Sequence, residues 1–259
     1  MSDGGAAEFG VVPIEGGAIF TIDRPAKLNA LTKSVLEGLA TCLDRLEGDG
    51  ARLLVITGAQ SRAFCAGTDL AEMQGMEMGA RLDKNVMARA LFVRLSRSPL
   101  ISVAAINGLA LGGGLELAMA CTLRIARANV GLGLPEVKLG LLPAYAGTQF
   151  LPAIAGRAVA EDLLLTGRSI DASEALARGL VHRTVPPDED VVAAAVAFGR
   201  EVVCHSPVAV AAIRACVAAS GPHVSDEGLA VEDQCVRSVF SGPEAEAGVE
   251  AFLARRKTG

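Results

Sequence analysis

The spacing of apolar residues changes along the chain, and each change marks an element. Residues 18–22, Ala-Ile-Phe-Thr-Ile, form a short apolar run closed by Arg24-Pro25, the pattern of a strand. Val35, Leu36, Leu39, Cys42, Leu43 and Leu46 then recur at helical spacing behind Thr32, a good N-cap, so a helix is predicted over residues 33–46. Leu53-Leu54-Val55-Ile56-Thr57 and Ile101-Ser102-Val103-Ala104-Ala105-Ile106 are nearly unbroken apolar runs of strand length, as expected of strands covered on both faces. Between them a methionine-rich segment leads into a helix predicted over residues 87–95. Strands alternating with helices indicate an α/β class with buried strands. From about residue 188 the strand pattern stops. Helices are predicted over residues 191–203, 207–219, 226–239 and 243–253, with Pro, Ser or Gly between them. This divides the chain into a core, residues 1–195, and a C-terminal helical region, residues 196–259.

Composition narrows the class. The chain has 259 residues, 51% of them hydrophobic and only 3% aromatic, so its core is built from small aliphatic side chains suited to close helix-on-sheet packing. A net charge of −5 argues against nucleic acid or an anionic membrane as the main partner. The six cysteines, Cys42, Cys65, Cys121, Cys204, Cys216 and Cys235, show no metal-like or redox-like spacing and read as reduced residues. The first ten residues have neither the basic start nor the apolar centre of a secretory signal, and a cytoplasmic location is expected. Residues 99–121 are long enough to cross a bilayer, but Asn107, Glu116 and the glycines at 108 and 112–114 would be expensive in lipid. The segment therefore reads as soluble core.

That same segment holds the first candidate chemistry. In Ala110-Leu111-Gly112-Gly113-Gly114-Leu115-Glu116 three glycines open a greasy helix and a carboxylate sits in its first turn. Close strand–helix packing explains one or two glycines. An oxyanion site on the exposed N–H groups of the helix start explains all three. A dinucleotide site is a third option, although no G-x-G-x-x-G is present and Glu116 would repel a pyrophosphate. A glutamate at a helix start is also favoured by the helix dipole alone. Glu136, just after Pro135 and twenty residues on, supplies a second carboxylate. Two carboxylates over one pocket can divide the roles of base and acid.

Together these segments resemble the crotonase (enoyl-CoA hydratase/isomerase) family. The likeness rests on Arg24-Pro25-Ala26-Lys27-Leu28-Asn29-Ala30-Leu31, on Phe64-Cys65-Ala66-Gly67-Thr68-Asp69-Leu70, on Asn107-Gly108 and the stretch ending at Glu116, and on Pro135-Glu136 followed by Gly147-Thr148-Gln149. It continues through Leu165-Thr166-Gly167, Gly179-Leu180-Val181 and Phe252-Leu253-Ala254-Arg255-Arg256-Lys257, and so spans nearly the whole chain. The resemblance implies a spiral of ββα units followed by helices that build homotrimers or homohexamers. It also implies an acyl-CoA thioester substrate, with coenzyme A as part of the substrate and no metal or redox cofactor. By position, the backbone N–H groups of Thr68 and Gly113 would form an oxyanion hole and Glu116 and Glu136 would be the catalytic pair. Lys27, Asn29 and the backbone around Ala66 would contact coenzyme A, and Phe252 and Arg255 near the C-terminus would reach coenzyme A bound to a neighbouring subunit. Two glutamates fit a hydratase, which adds water syn to a trans-2-enoyl-CoA, better than an isomerase. The alternatives are a Δ3,Δ2-enoyl-CoA isomerase or another enolate-forming acyl-CoA enzyme, a non-catalytic CoA- or protein-binding relative, and, more distantly, a nicotinamide-dependent dehydrogenase.

The sequence also departs from the family. Thr122 stands where an aspartate is common, and reads as an exchanged structural hydrogen bond. Pro143-Ala144-Tyr145-Ala146-Gly147 replaces a form close to P-G-x-G-G, so two glycines have become alanines. The N–H of Ala144 would still support a catalytic water. Tyr145, the only tyrosine of the chain, reads as packing, a lid of the acyl pocket or a proton donor. Met73 and Met76 are expected to shape that pocket or to fill core.

Overall fold

The computed structural model describes residues 7–221 and 223–257, with the side chains at 251, 252 and 254–257 outside the description. Among the described residues ten strands follow the chain: β1 (Phe9–Ile14), β2 (Gly17–Ile22), β3 (Leu53–Gly58), β4 (Ala63–Cys65), β5 (Ile101–Ile106), β6 (Leu109–Leu111), β7 (Leu123–Arg127), β8 (Gly131–Gly133), β9 (Ser169–Asp171) and β10 (Arg183–Val185). The helices are α1 (Lys33–Gly48), α2 (Leu70–Gln74), α3 (Met78–Arg97), α4 (Gly113–Ala120), α5 (Gly147–Ala155), α6 (Arg157–Thr166), α7 (Ala172–Ala177), α8 (Val191–Val203), α9 (Pro207–Ala219), α10 (Asp226–Phe240) and α11 (Pro243–Lys257).

The strands form two sheets, one of six in the order β1-β2-β3-β5-β7-β10 and one of four in the order β4-β6-β8-β9. β1 and β2 make an antiparallel hairpin, whereas β2, β3, β5, β7 and β10 run parallel. In the smaller sheet β4, β6 and β8 are parallel and β9 is antiparallel. Each circuit thus lays one strand in each sheet (β3 then β4, β5 then β6, β7 then β8) before a helix returns the chain. This is the expected α/β spiral of ββα units. All six positions of β3 and of β5 are buried, which is why both read as continuous apolar runs.

Several boundaries differ from expectation. α3 begins at Met78 rather than at residue 87, because its first turns carry Arg81, Asp83 and Lys84 and no apolar stripe. β1 has no signal in the sequence pattern: it is an edge strand holding Pro13, with Val12 exposed, and lacks the alternation of a half-buried strand. Thr122 makes a reciprocal tie between β5 and the start of β7, its N–H donating to Ser102 Oγ at 2.9 Å. That is the structural hydrogen bond expected at this departure.

The chain divides into two compact units, up to Arg200 and from Glu201 on. The first contains both sheets and one continuous hydrophobic core, in which Phe20, Phe64 and Phe92 are fully buried. In the second, α9 and α10 pack on each other, yet neither buries a residue within this chain. Among the described residues no single helix is long and apolar enough to cross a membrane.

Candidate active site

Two turns at strand ends meet, and each offers a backbone donor. After β4 the chain passes through Ala66-Gly67-Thr68, where Gly67 adopts φ +102°, a conformation that L side chains rarely reach. A Cβ there would lie 3.0 Å from the Leu111 carbonyl and 3.3 Å from the Gly113 nitrogen, so this turn abuts the start of α4. Leu31 N–H donates to the Gly67 carbonyl at 2.7 Å and Asp69 N–H to the Leu31 carbonyl at 3.0 Å. Thr68 N–H, between them, has no acceptor among the described residues; nor does Gly113 N–H, in the first turn of α4.

Charge pairs fix the turn that carries Thr68. Asp69 caps α2 by accepting from Ala71 and Glu72 N–H at 3.0 and 3.1 Å, and Arg24 binds its other oxygen at 2.8 Å. Burial opposes ionisation of Asp69, but Arg24 and the two N–H donors outweigh it and hold the carboxyl below its ordinary value. Lys84, itself buried, donates to the Leu31 carbonyl at 3.0 Å and pairs with Glu72. The ties from Arg24 to Asp69 and from Lys84 to Leu31 and Glu72 were not legible in the sequence, since these partners are far apart along the chain.

The three consecutive glycines serve three different neighbours. Gly112, at φ +52° and ψ −128°, lies where a Cβ would come within 2.7 Å of Glu136 Oε1. A Cβ on Gly113 would press at 3.0 Å on the Tyr145 ring, and one on Gly114 would overlap the Cys65 carbonyl of β4. The packing explanation therefore holds for Gly114, and the site claims the other two.

Glu116 lies in α4, all eight residues of which are buried. Its Oε1 accepts from Tyr145 N–H at 2.8 Å and from Gly147 N–H at 2.7 Å. Ala146, between those donors, has φ +81°, and this left-handed residue turns both N–H groups onto one oxygen, as in an anion-binding nest. Burial pushes the Glu116 carboxyl up to about 7; the charge of Glu136 adds to the rise, while the Gly147 and Tyr145 donors oppose it. Glu136 stands in the 3₁₀ turn Pro135–Leu139 that follows β8, and burial raises its carboxyl too. Its Oε2 is buried with no hydrogen-bond partner among the described residues.

Both carboxyls and both turns line one cavity of about 170 Å³. Apart from Asn85 of α3 its remaining wall is apolar, from Leu70, Met73, Leu139, Leu141, Leu142, Ala144 and the Tyr145 ring. Asn85 and the three leucines after Glu136 were not anticipated; the only signal for the leucines is an apolar run beside a candidate acid, and Asn85 has none. Ala66 and Met73 line the cavity as expected, but Met76 does not. Lys27 is exposed at the end of the turn Pro25–Lys27 and away from the lining. The Asn29 side chain turns inward instead: its amide donates to the Ala59 and Ala63 carbonyls at 3.0 and 2.7 Å, and its oxygen accepts from Arg24 N–H. The buried Asn29 amide, with these partners, holds the fold, and Asn29 is not among the residues that line the cavity. Phe252 and Arg255 have side chains outside the described residues.

A family model described as enoyl-CoA hydratase/isomerase matches residues 15–259. The chain belongs to that family. Among the relatives of this enoyl-CoA hydratase/isomerase family member is a short-chain-enoyl-CoA hydratase of Clostridium acetobutylicum, 36% identical over 241 residues, covering 93% of this chain and 92% of the relative. A crotonyl-CoA hydratase of Syntrophomonas wolfei is 34% identical over the same shares. The crystal structure of an enoyl-CoA hydratase from Bacillus anthracis superposes with a TM-score of 0.89 at 33% identity, covering 96% of each chain. The crotonase-like reading of the sequence thus stands, and an acyl-CoA enzyme is the coarse identity.

Proposed function

We propose that this family member is an enoyl-CoA hydratase that adds water syn across a trans-2-enoyl-CoA to give a 3-hydroxyacyl-CoA. The observation that carries the reading is the pair Glu116 and Glu136 on the cavity that also meets two unpartnered N–H groups. A thioester oxygen between Thr68 N–H and Gly113 N–H would gain charge as the enolate forms, and loss of one such donor raises the barrier by about 2.7–4 kcal/mol.

The environments of the two carboxyls suit different roles. The N–H donors of Tyr145 and Gly147 favour negative charge on Glu116 and leave its second oxygen for a water. An unpartnered buried oxygen on Glu136 favours the proton there. Glu116 then takes a proton from water as the oxygen bonds to C3, and Glu136 gives its proton to C2. Atoms balance: water is split between C3 and Glu116, and proton exchange between the carboxyls through water resets the pair. The Ala144 N–H would support that water, and Ala144 is not among the positive-φ residues, so alanine suits the position. The strained turn falls on Ala146 instead.

Coenzyme A enters as part of the substrate, met by the backbone at Ala66 and by Lys27, while Phe252 and Arg255 would reach coenzyme A bound to a neighbouring subunit. The reaction needs no metal or redox cofactor. A cytoplasmic homotrimer or homohexamer is the proposed form, supported by the uncovered faces of α9 and α10. Incubation with crotonyl-CoA and with a 3-enoyl-CoA in D₂O, followed by NMR, tests the reading. The expected product is 3-hydroxybutyryl-CoA with one deuterium at C2; conversion of the 3-enoyl thioester alone would make the protein an isomerase.

A further inference from the structure

Tyr145 has no part in the proton transfers above, yet it is central to the cavity. Its ring is 3% exposed and stands edge-on to the fully buried Phe92, with centroids 5.6 Å apart and planes at 87°. The ring lies over Gly113, with Cδ2 and Cε2 each 3.0 Å from where a Cβ would be. Its hydroxyl is hydrogen-bonded to Thr68 Oγ1, 77 residues away in sequence. Tyr145 therefore spans the two residues whose N–H groups face the cavity and forms its inner wall. Leu70, Leu139 and Leu142, which also line the cavity, are exposed, so the leucine-lined side is open to solvent whereas the Tyr145 ring is buried.

We propose that Tyr145, pinned by Thr68, sets the acyl-chain length: it closes the inner end of the cavity so that short acyl thioesters fit and long ones do not. This rests on reading the cavity as an acyl-thioester site. A ligand whose carbonyl oxygen sits on Thr68 and Gly113 N–H has the ring within the next few carbons of its chain. Phe92 against the ring and the Thr68 bond at its tip hold the ring in this position. Burial pushes the phenol up to about 12, so it stays neutral and the hydroxyl pair is intact at physiological pH. The two hydroxyls use one proton between them, and neither oxygen has another partner among the described residues.

Saturated acyl-CoAs, which cannot be hydrated, separate this role from catalysis. Calorimetric affinities for butyryl-, hexanoyl- and octanoyl-CoA are compared for the wild type, Tyr145→Ala, Tyr145→Val and Tyr145→Phe, with folding checked by circular dichroism. In the wild type octanoyl-CoA should bind no tighter than butyryl-CoA. Each methylene that an enlarged pocket buries is worth on the order of fourfold in affinity. The octanoyl-to-butyryl preference should therefore rise about tenfold or more in Tyr145→Ala and by less in Tyr145→Val. In Tyr145→Phe, which keeps the ring, it should stay within about threefold of wild type. An unchanged preference in the folded Ala and Val variants would overturn the proposal, as would a wild type that already prefers octanoyl-CoA. A chain-length switch without hydration of any enoyl thioester would overturn the proposed function and leave the role of Tyr145 standing; failure to bind every thioester would overturn both.

Discussion

Burial holds the Glu116 carboxyl up to about 7, so at pH 8 the fold keeps a carboxylate ionised where its surroundings favour the neutral form. The unfolded chain releases that proton near 4.5. The native state therefore binds the extra proton between those values, and the stability this group contributes is full below about 4.5 and lost as pH rises through about 7. Glu116→Gln keeps an oxygen for Tyr145 and Gly147 N–H but carries no charge. It should be more stable than wild type at pH 8 by at most about 3 kcal/mol, with the gap closing toward pH 4.5. Urea melts at the two pH values check this; equal stability at both would mean that the carboxylate is not held against its surroundings. At this scale the sequence exposed both glutamates as candidates. Their sharing of a cavity, and the Tyr145–Thr68 bond, join residues distant in the chain and were visible only in the fold.

The elements deliver the site by close approaches that few residues permit. Gly147 opens α5 where a Cβ would meet Glu116 Oε1 and Cγ at 2.8 and 2.9 Å and Pro143 at 3.0 Å. Gly147→Ala should displace Glu116 and lower the hydration rate by about 10²-fold while the melting temperature changes little. Gly114→Ala should do the reverse: its Cβ meets the backbone of β4, and a loss of about 3 kcal/mol in stability is expected. Thermal melts and rates on the two variants distinguish a glycine kept for catalysis from one kept for packing. Long apolar runs such as β3 and β5 were legible because both faces are covered, and the Thr32 cap of α1 because its signal is local. α3 was half legible: its buried residues cluster toward its C-terminal half, and its first turns are held by tertiary ties such as Lys84 to Leu31 rather than by local pattern.

At the scale of the whole molecule the two units differ in how they satisfy their apolar surface. The first encloses its core, whereas the second leaves Ile213, Val217, Val236 and Phe240 at 45–78% exposure. Helices with no buried residue gain little from their own chain, which fits the proposed homotrimer or homohexamer. Light scattering coupled to gel filtration should give a trimer or hexamer, and a monodisperse monomer at micromolar concentration would contradict the proposed assembly. Within this chain the helical pattern of α8 to α10 was legible because alanine-, valine- and leucine-rich segments alternate with Pro, Ser and Gly stops.

In the proposed reaction two carboxyls act on one enoyl thioester, and the most direct test is the loss of crotonyl-CoA absorbance with wild type, Glu116→Gln and Glu136→Gln. Hydration by the wild type, with kcat reduced by about 10²- to 10⁴-fold in each folded variant, is the predicted result. Rates within tenfold of wild type in both variants would contradict it.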